Sequence, residues 1–156
     1  MPRFKFSLET VLRHRETLEQ NEKDELFRRL YRFQTELGRR NELNARLVET
    51  VNELSLKRSA NVDHNELNWH YLYIDRLFLE IKQSEKRLAE LDKQVQEQKE
   101  AVIEATKKRK TISTLKSKRE KEFIFEVERQ EQKDIDDLVV TRYAAKGLEA
   151  SGTRKH

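Results

Sequence analysis

Cysteine is absent from the 156 residues, which excludes a disulfide framework, a thiolate nucleophile and a sulfur-ligated metal site. Proline occurs once, at Pro2, and between Arg3 and Lys146 the only glycine is Gly38. Turns are built largely from Gly and Pro, so a β-rich fold is excluded. No Gly-rich phosphate loop is present. No apolar run approaches the roughly 18 residues that a membrane span requires. The opening Met-Pro-Arg-Phe-Lys-Phe has none of the apolar stretch of a secretory signal, so a cytoplasmic location is expected. The four histidines, His14, His64, His70 and His156, have no second ligand spaced as in a known metal site; solvated or layer-filling roles are expected, with no metal and no cofactor. Nothing in the pattern encloses a pocket around a catalytic set, so the chain is expected not to be an enzyme.

What is present is charge, at 40% of residues, against 35% apolar; globular domains average roughly 25% and 45–50%. The 33 basic and 29 acidic residues are interspersed, for a net charge of +4. That balance argues against a nucleic-acid binder, whose affinity comes from concentrated phosphate neutralisation. High charge with few turns leaves disorder or long helices. Apolar spacing selects helices. One ladder reads Leu26, Leu30, Phe33, Leu37, Arg40, Asn44, Leu47, Val51, Leu54 and Arg58. A second reads Ile74, Leu77, Ile81, Ser84, Leu88, Leu91, Val95, Gln98, Val102, Ala105, Arg109 and Ile112. Steps of four and three alternate in both, which is the seam of a coiled coil. Upstream, Leu8, Val11, Arg15, Leu18 and Glu22 extend the first ladder. The successive four-residue steps Glu22–Leu26–Leu30 predict a stutter there. Ser7 is the expected N-cap, with Glu9 in the first turn.

Between the ladders, Ser59-Ala-Asn-Val-Asp-His-Asn holds turn-forming residues, and Asp63 with Glu66 signals a second helix start. A short connection makes the helices antiparallel neighbours. In such a hairpin, facing residue numbers have a nearly constant sum, and Val51 with Ile74, Leu47 with Leu77, Leu37 with Leu88, Phe33 with Leu91 and Leu30 with Val95 satisfy this. The expected fold is therefore all-α: a long antiparallel two-helix coiled-coil hairpin over 1–146, with helices at about 7–58 and 66–143, a turn at 59–65, and a disordered tail at 147–156. The same rule sets Arg15 beside Arg109, Val11 beside Ile112 and Phe4 near Arg119. Beyond about Lys121 the second helix has no partner, yet it carries Phe123, Val127, Ile135, Leu138 and Val139. An amphipathic overhang of this kind fits docking of another protein, a dimerisation seam, or a helix that frays alone.

Three further features stand apart from the apolar ladders, one within the seam and two outside it. Arg40, Asn44 and Ser84 are polar interruptions expected to fix register, with a binding role as the alternative. The stretch Lys107–Lys121 has eight basic residues and one acidic residue, Glu120, and the hairpin rule adds Arg3, Lys5, Arg13 and Arg15. A solvated face or an acidic protein partner accounts for it better than nucleic acid, because the acidic balance of Glu126–Asp137 interrupts any longer basic track. Finally, Trp69, Tyr71, Leu72, Tyr73 and Phe78 crowd the start of the second helix, where Ile74 and Leu77 already occupy the seam. They cannot all be buried in two helices, so they mark a protein interface or a local cap of the hairpin end.

Phe4-Lys-Phe6-Ser-Leu8-Glu9-Thr-Val11-Leu12 followed by Arg15 and Glu19, the aromatic opening Trp69–Ile81, and Gln132-Lys-Asp-Ile-Asp136-Asp137 followed by Arg142-Tyr143 together resemble the flagellar FliJ family. The resemblance covers the whole chain in layout; the acidic pair expected before the last helical turn is here Asp136-Asp137. It implies a non-enzymatic stalk of the flagellar type III protein export apparatus, similar to the central stalk of rotary ATPases. The implied partners are the export ATPase hexamer, an export-gate membrane protein and export chaperones, with the protein monomeric alone and peripheral at the cytoplasmic face of the inner membrane. On that reading Phe4, Phe6, Arg13, Lys108, Arg109, Lys116, Arg119, Phe123 and Val127 face the ATPase ring, and Trp69, Tyr71, Tyr73 and Phe78 face the gate. The equivalent stalk of a virulence-type injectisome and a dimerising coiled-coil scaffold are the alternatives.

Overall fold

A computed structural model of the protein describes residues 2–60 and 63–152. Two helices, α1 (Glu9–Ser59) and α2 (His64–Gly152), account for almost all of it and pack against each other as a helical hairpin. The second helix is the longer, 89 residues against 51. Asn61 and Val62, in the expected turn, lie outside the described residues. Asp63 opens α2 by a backbone route: its carbonyl accepts from the amides of both Glu66 and Leu67, each at 3.2 Å. Glu66, expected as its capping partner, instead takes Lys57 of α1 at 3.1 Å. The chain divides into two compact units, Glu16–Lys107 and the residues up to Arg15 with those from Lys108 onward.

In the unit Glu16–Lys107 every expected α2 ladder position from Ile74 to Ala105 is buried or half-buried. Its densest layer joins Leu43, Leu77 and Ile81, with Leu47 packed against them. Fully burying such side chains contributes about 1.5–3 kcal/mol each. On α1 the seam differs from the expectation. Leu43, not Asn44, is the more deeply buried of the two, and Thr50 is 7% exposed where its expected neighbour Val51 is 44% exposed. Arg58 is exposed and Lys57 takes the half-buried position. Near its start Glu19 is buried while Leu18 stands outside. One continuous ladder of covered positions runs Glu19, Glu22, Leu26, Arg29, Phe33, Glu36, Arg40, Leu43, Leu47, Thr50, Leu54 and Lys57, while Glu25 and Asn44 are half-buried too. The steps of the ladder alternate three and four throughout, so the expected stutter at Glu22–Leu26–Leu30 is not needed. The ladder passes through Arg29 and Glu36, with Leu30 and Leu37 half-buried beside it.

Half of those α1 positions are charged, and a buried polar group is costly unless it is hydrogen-bonded. The structure supplies partners across the hairpin. Thr106 Oγ1 donates to Glu19 at 3.1 Å, and Gln98 Nε2 donates to the Glu22 carboxylate and carbonyl. Arg29 Nη1 donates to the Gln94 carbonyl at 3.0 Å. Ser84, with no exposed surface, donates to Glu36 at 2.6 Å, and Arg87 approaches the same carboxylate at 3.8 Å. Thr50 closes its hydroxyl on the Arg46 carbonyl at 2.7 Å, which leaves its methyl group to pack as a small apolar residue. Among the described residues, Arg40 Nε is buried without a hydrogen-bond partner.

In the other unit α1 begins at Glu9 and not at Ser7. The Ser7 hydroxyl is taken by Arg119 at 3.4 Å, while the Glu9 amide bonds the Phe6 carbonyl at 3.2 Å. Leu12 is buried at 5% exposure and Val11, the expected seam residue, is outside. The α2 positions Arg109 and Ile112 are half-buried as expected. Phe4 meets Phe123, with ring centroids 5.6 Å apart, one turn beyond the expected Arg119. The helix does not stop near Tyr143: residues 147–152, expected as the start of a disordered tail, are helical, and 153–156 lie outside the described residues.

Candidate functional site

Trp69, Tyr71, Tyr73 and Phe78 are all exposed, as are Leu72 and Leu79. The helical turn explains why they are not one patch. With Ile74, Leu77 and Ile81 facing α1, a spacing of 100° per residue sends Trp69 and Tyr73 to one flank of α2 and Tyr71 and Phe78 to the other. The Arg58 guanidinium lies 5.5 Å from the Tyr71 ring centroid, a cation–π contact that holds this ring beside α1. The Trp69–Tyr73 flank is more charged. There Lys57 Nζ sits 3.1 Å from Glu66 and 3.5 Å from His70 Nε2, and Arg76 pairs with Glu80 at 3.0 Å. His70 Nδ1 is 2.9 Å from the Glu66 carbonyl, so it donates there and leaves Nε2 to accept from Lys57.

At the basic stretch the expected residues divide into two groups. Phe6 is buried, Phe4 and Phe123 cover each other, and Lys116 Nζ grips both Glu9 oxygens at 2.8 and 3.1 Å. The Phe4–Phe123 and Lys116–Glu9 contacts fasten the N-terminal segment and the start of α1 to α2, and these side chains are half-buried. Arg13, Lys108 and Arg119 are exposed, and Arg109 and Val127 are half-buried. A shallow groove runs past Pro2, Phe123 and Val127, with Glu126, Glu131 and Asp134 along its edge. Its acidic edge contrasts with the basic residues that precede it in the chain.

From Glu128 to Gly152 every residue of α2 is exposed. Ile135, Leu138, Val139 and Tyr143 follow three- and four-residue steps and share one side. Acidic residues precede and enter the start of this stripe (Glu131, Asp134, Asp136, Asp137), and Arg142 and Lys146 lie at its end.

Three exposed aromatics, Phe27, Tyr31 and Phe125, were not singled out from the sequence. Phe27 and Tyr31, 72% and 68% exposed, stand on the outward side of α1 beside Arg28 and Arg32. The signal was present in the pattern: neither falls on the seam ladder, yet both are large and apolar. Among the described residues no group of three His, Cys, Asp or Glu side chains is placed to hold a metal ion, and no helix is long and apolar enough to cross a membrane. The described surfaces are two aromatic flanks, exposed cations and an uncovered amphipathic helix.

A family model described as "Flagellar FliJ protein" matches residues 4–148. No curated protein and no solved structure matches the chain.

Proposed function

The chain belongs to the flagellar FliJ family, whose members serve flagellar export, and from that premise we propose that it is a non-enzymatic stalk of the flagellar type III export apparatus. Its terminal end enters the ring of the export ATPase hexamer, and its hairpin tip meets the export-gate membrane protein and export chaperones. The protein works in the cytoplasm, held at the membrane only through the apparatus. The observation that carries this reading is the uncovered helix from Glu128 to Gly152, with its apolar side exposed and unpaired. A face of that kind is built to be received by another protein. The exposed cations Arg13, Lys108 and Arg119 suit an acidic opening, where charge steers entry and sets orientation.

The test is ATPase stimulation by the purified chain. Lys108→Glu with Arg119→Glu is expected to abolish it while circular dichroism stays mostly helical; Lys116 is left intact because it holds Glu9. Undiminished stimulation by this variant would remove the basic residues from the mechanism. At the tip, Tyr73→Ala is expected to weaken capture of the gate protein without loss of helicity. A solution mass of twice the chain at micromolar concentration would favour a dimerising scaffold over a stalk.

A further inference from the structure

Gly38 has no part in the proposed stalk contacts, and its position is unusual. It lies in mid-helix, where glycine is disfavoured relative to alanine, and an added Cβ would meet nothing within 4 Å. No crowding inside the protein calls for a glycine here. The absence of a side chain leaves a notch in the outward surface of α1, bounded one turn away on either side by the exposed Gln34, Thr35, Asn41 and Glu42. Tyr31 and Phe27 lie seven and eleven residues earlier, two and three turns back along the same outward side. They form an exposed aromatic ridge that leads to the notch.

The charge around this ridge is predominantly basic. Between Glu25 and Glu42 the basic residues are Arg28, Arg29, Arg32, Arg39 and Arg40, and the acidic residues are Glu25, Glu36 and Glu42, the last exposed one turn beyond Gly38. Glu36 is turned to Ser84 in the seam. Arg28 and Arg29 are paired with Glu25, and Arg40 is half-buried. Among the described residues, Arg32 and Arg39 are exposed and enter no ion pair or hydrogen bond. Both are arginines, whose planar fork suits carboxylates.

We propose that the outward face of α1 from Phe27 to Arg39 docks an acidic amphipathic helix of a partner protein. That helix crosses α1 most closely at Gly38, packs apolar side chains on Tyr31 and Phe27, and pairs its carboxylates with Arg32 and Arg39. A missing side chain lets helix backbones approach, the reason small residues favour close crossings. A nucleic acid fits less well, since two free cations over about three turns neutralise too few phosphates for appreciable affinity. A flat anionic bilayer would not use the notch.

The probe is a fluorescein-labelled synthetic helix of 20 residues with leucines at three- and four-residue spacing and glutamates on both flanks. It is titrated with the full chain and followed by anisotropy. Saturable binding is expected. Arg32→Glu with Arg39→Glu should weaken it at least about tenfold, and Tyr31→Ala about fivefold. Gly38→Leu should abolish it. Gly38→Ala should weaken it about threefold while raising Tm by about 2–4 °C, because alanine favours the helix. This opposition of stability and binding is what a merely local effect on α1 would not produce. The proposal is overturned if the peptide does not bind saturably, if it binds equally with its leucines changed to serine, or if binding survives the Arg32→Glu, Arg39→Glu pair, which would put it on Lys107–Lys121. It is also overturned if phosphatidylglycerol vesicles bind and the peptide does not.

Discussion

Leu77 and Leu138 are the same residue in the same helix, each in a run with apolar residues every three or four positions. One is 2% exposed and the other 62%. Neither local propensity nor spacing separates them. The difference lies in what faces them: Leu77 packs against Leu43 of α1, whereas every residue from Glu128 onward is uncovered among the described residues. Apolar periodicity thus announces that a face is meant to be covered without saying by what. In the first region the cover is in the chain itself, and in the second none of the described residues supplies it.

The strongest way to break this comparison is to truncate both leucines. Leu77→Ala removes buried methyl groups and leaves a cavity in the densest layer, so a loss of about 2–5 kcal/mol is expected. Leu138→Ala is expected to change stability by less than about 0.5 kcal/mol, as surface substitutions do. Urea unfolding followed by circular dichroism gives both values. A large loss at Leu138 would mean that the overhang is already covered in the free protein.

The hairpin was legible in the sequence, and the α2 ladder was read residue for residue from Ile74 to Ile112. The α1 ladder was read less well, for a physical reason. A seam is narrow, and two adjacent residues compete for each place. Reading by apolar letters selects Leu18 over Glu19 and Val51 over Thr50. The fold selects the polar member because the opposite helix or its own backbone satisfies it: Thr106 for Glu19 and the Arg46 carbonyl for Thr50. For Glu19 the cross-hairpin partner lies far away in the chain, so no local window contains it; for Thr50 the partner is one turn back, but the choice of Thr50 over Val51 still depends on which side of α1 faces α2. The uncovered faces were legible for the opposite reason. An apolar residue off the ladder, as at Tyr73 or Phe78, has nowhere to go in a two-helix structure. The roles of Phe4 and Lys116 were less so, because side chains that look available on paper fasten the N-terminal segment and the start of α1 to α2.

A second pair sharpens the comparison inside the covered region, where polar layers alternate with apolar ones. Arg40 Nε is buried without a partner, and an unsatisfied buried donor costs about 1–3 kcal/mol. Arg40→Leu is therefore expected to raise stability by about 1 kcal/mol, since the guanidinium is only partly buried. Ser84→Ala should lower it by a similar amount, about 1 kcal/mol, through loss of the bond to Glu36. Thermal melts of the two variants and of the double mutant decide the matter. If Arg40→Leu is destabilising, its aliphatic stem contributes more than its unpaired nitrogen costs.

The smallest effect concerns Glu25, at the edge of the seam. Arg29, hydrogen-bonded to it at 3.0 Å, and then Arg28, at 2.9 Å, hold its carboxyl below the usual carboxylate range. Arg29 also reaches the Gln94 carbonyl, so Glu25 helps to aim a cross-hairpin bond. The sign follows from the lowered folded-state value. The contribution is complete above the unfolded pKa of about 4.3 and is lost as pH falls through the lower folded value, leaving neutral pH unaffected. At the overhang the ion pair is looser, with Arg129 within 3.9 Å of Glu126. Carbon-detected NMR titration of the Glu25 carboxyl should show its pKa rising toward the ordinary range in Arg29→Gln, and rising less in Arg28→Gln. High salt should narrow the gap between wild type and both variants, because exposed pairs are screened. A larger rise in Arg28→Gln than in Arg29→Gln would mean that the i,i+3 partner, and not the residue that crosses to α2, controls this carboxylate.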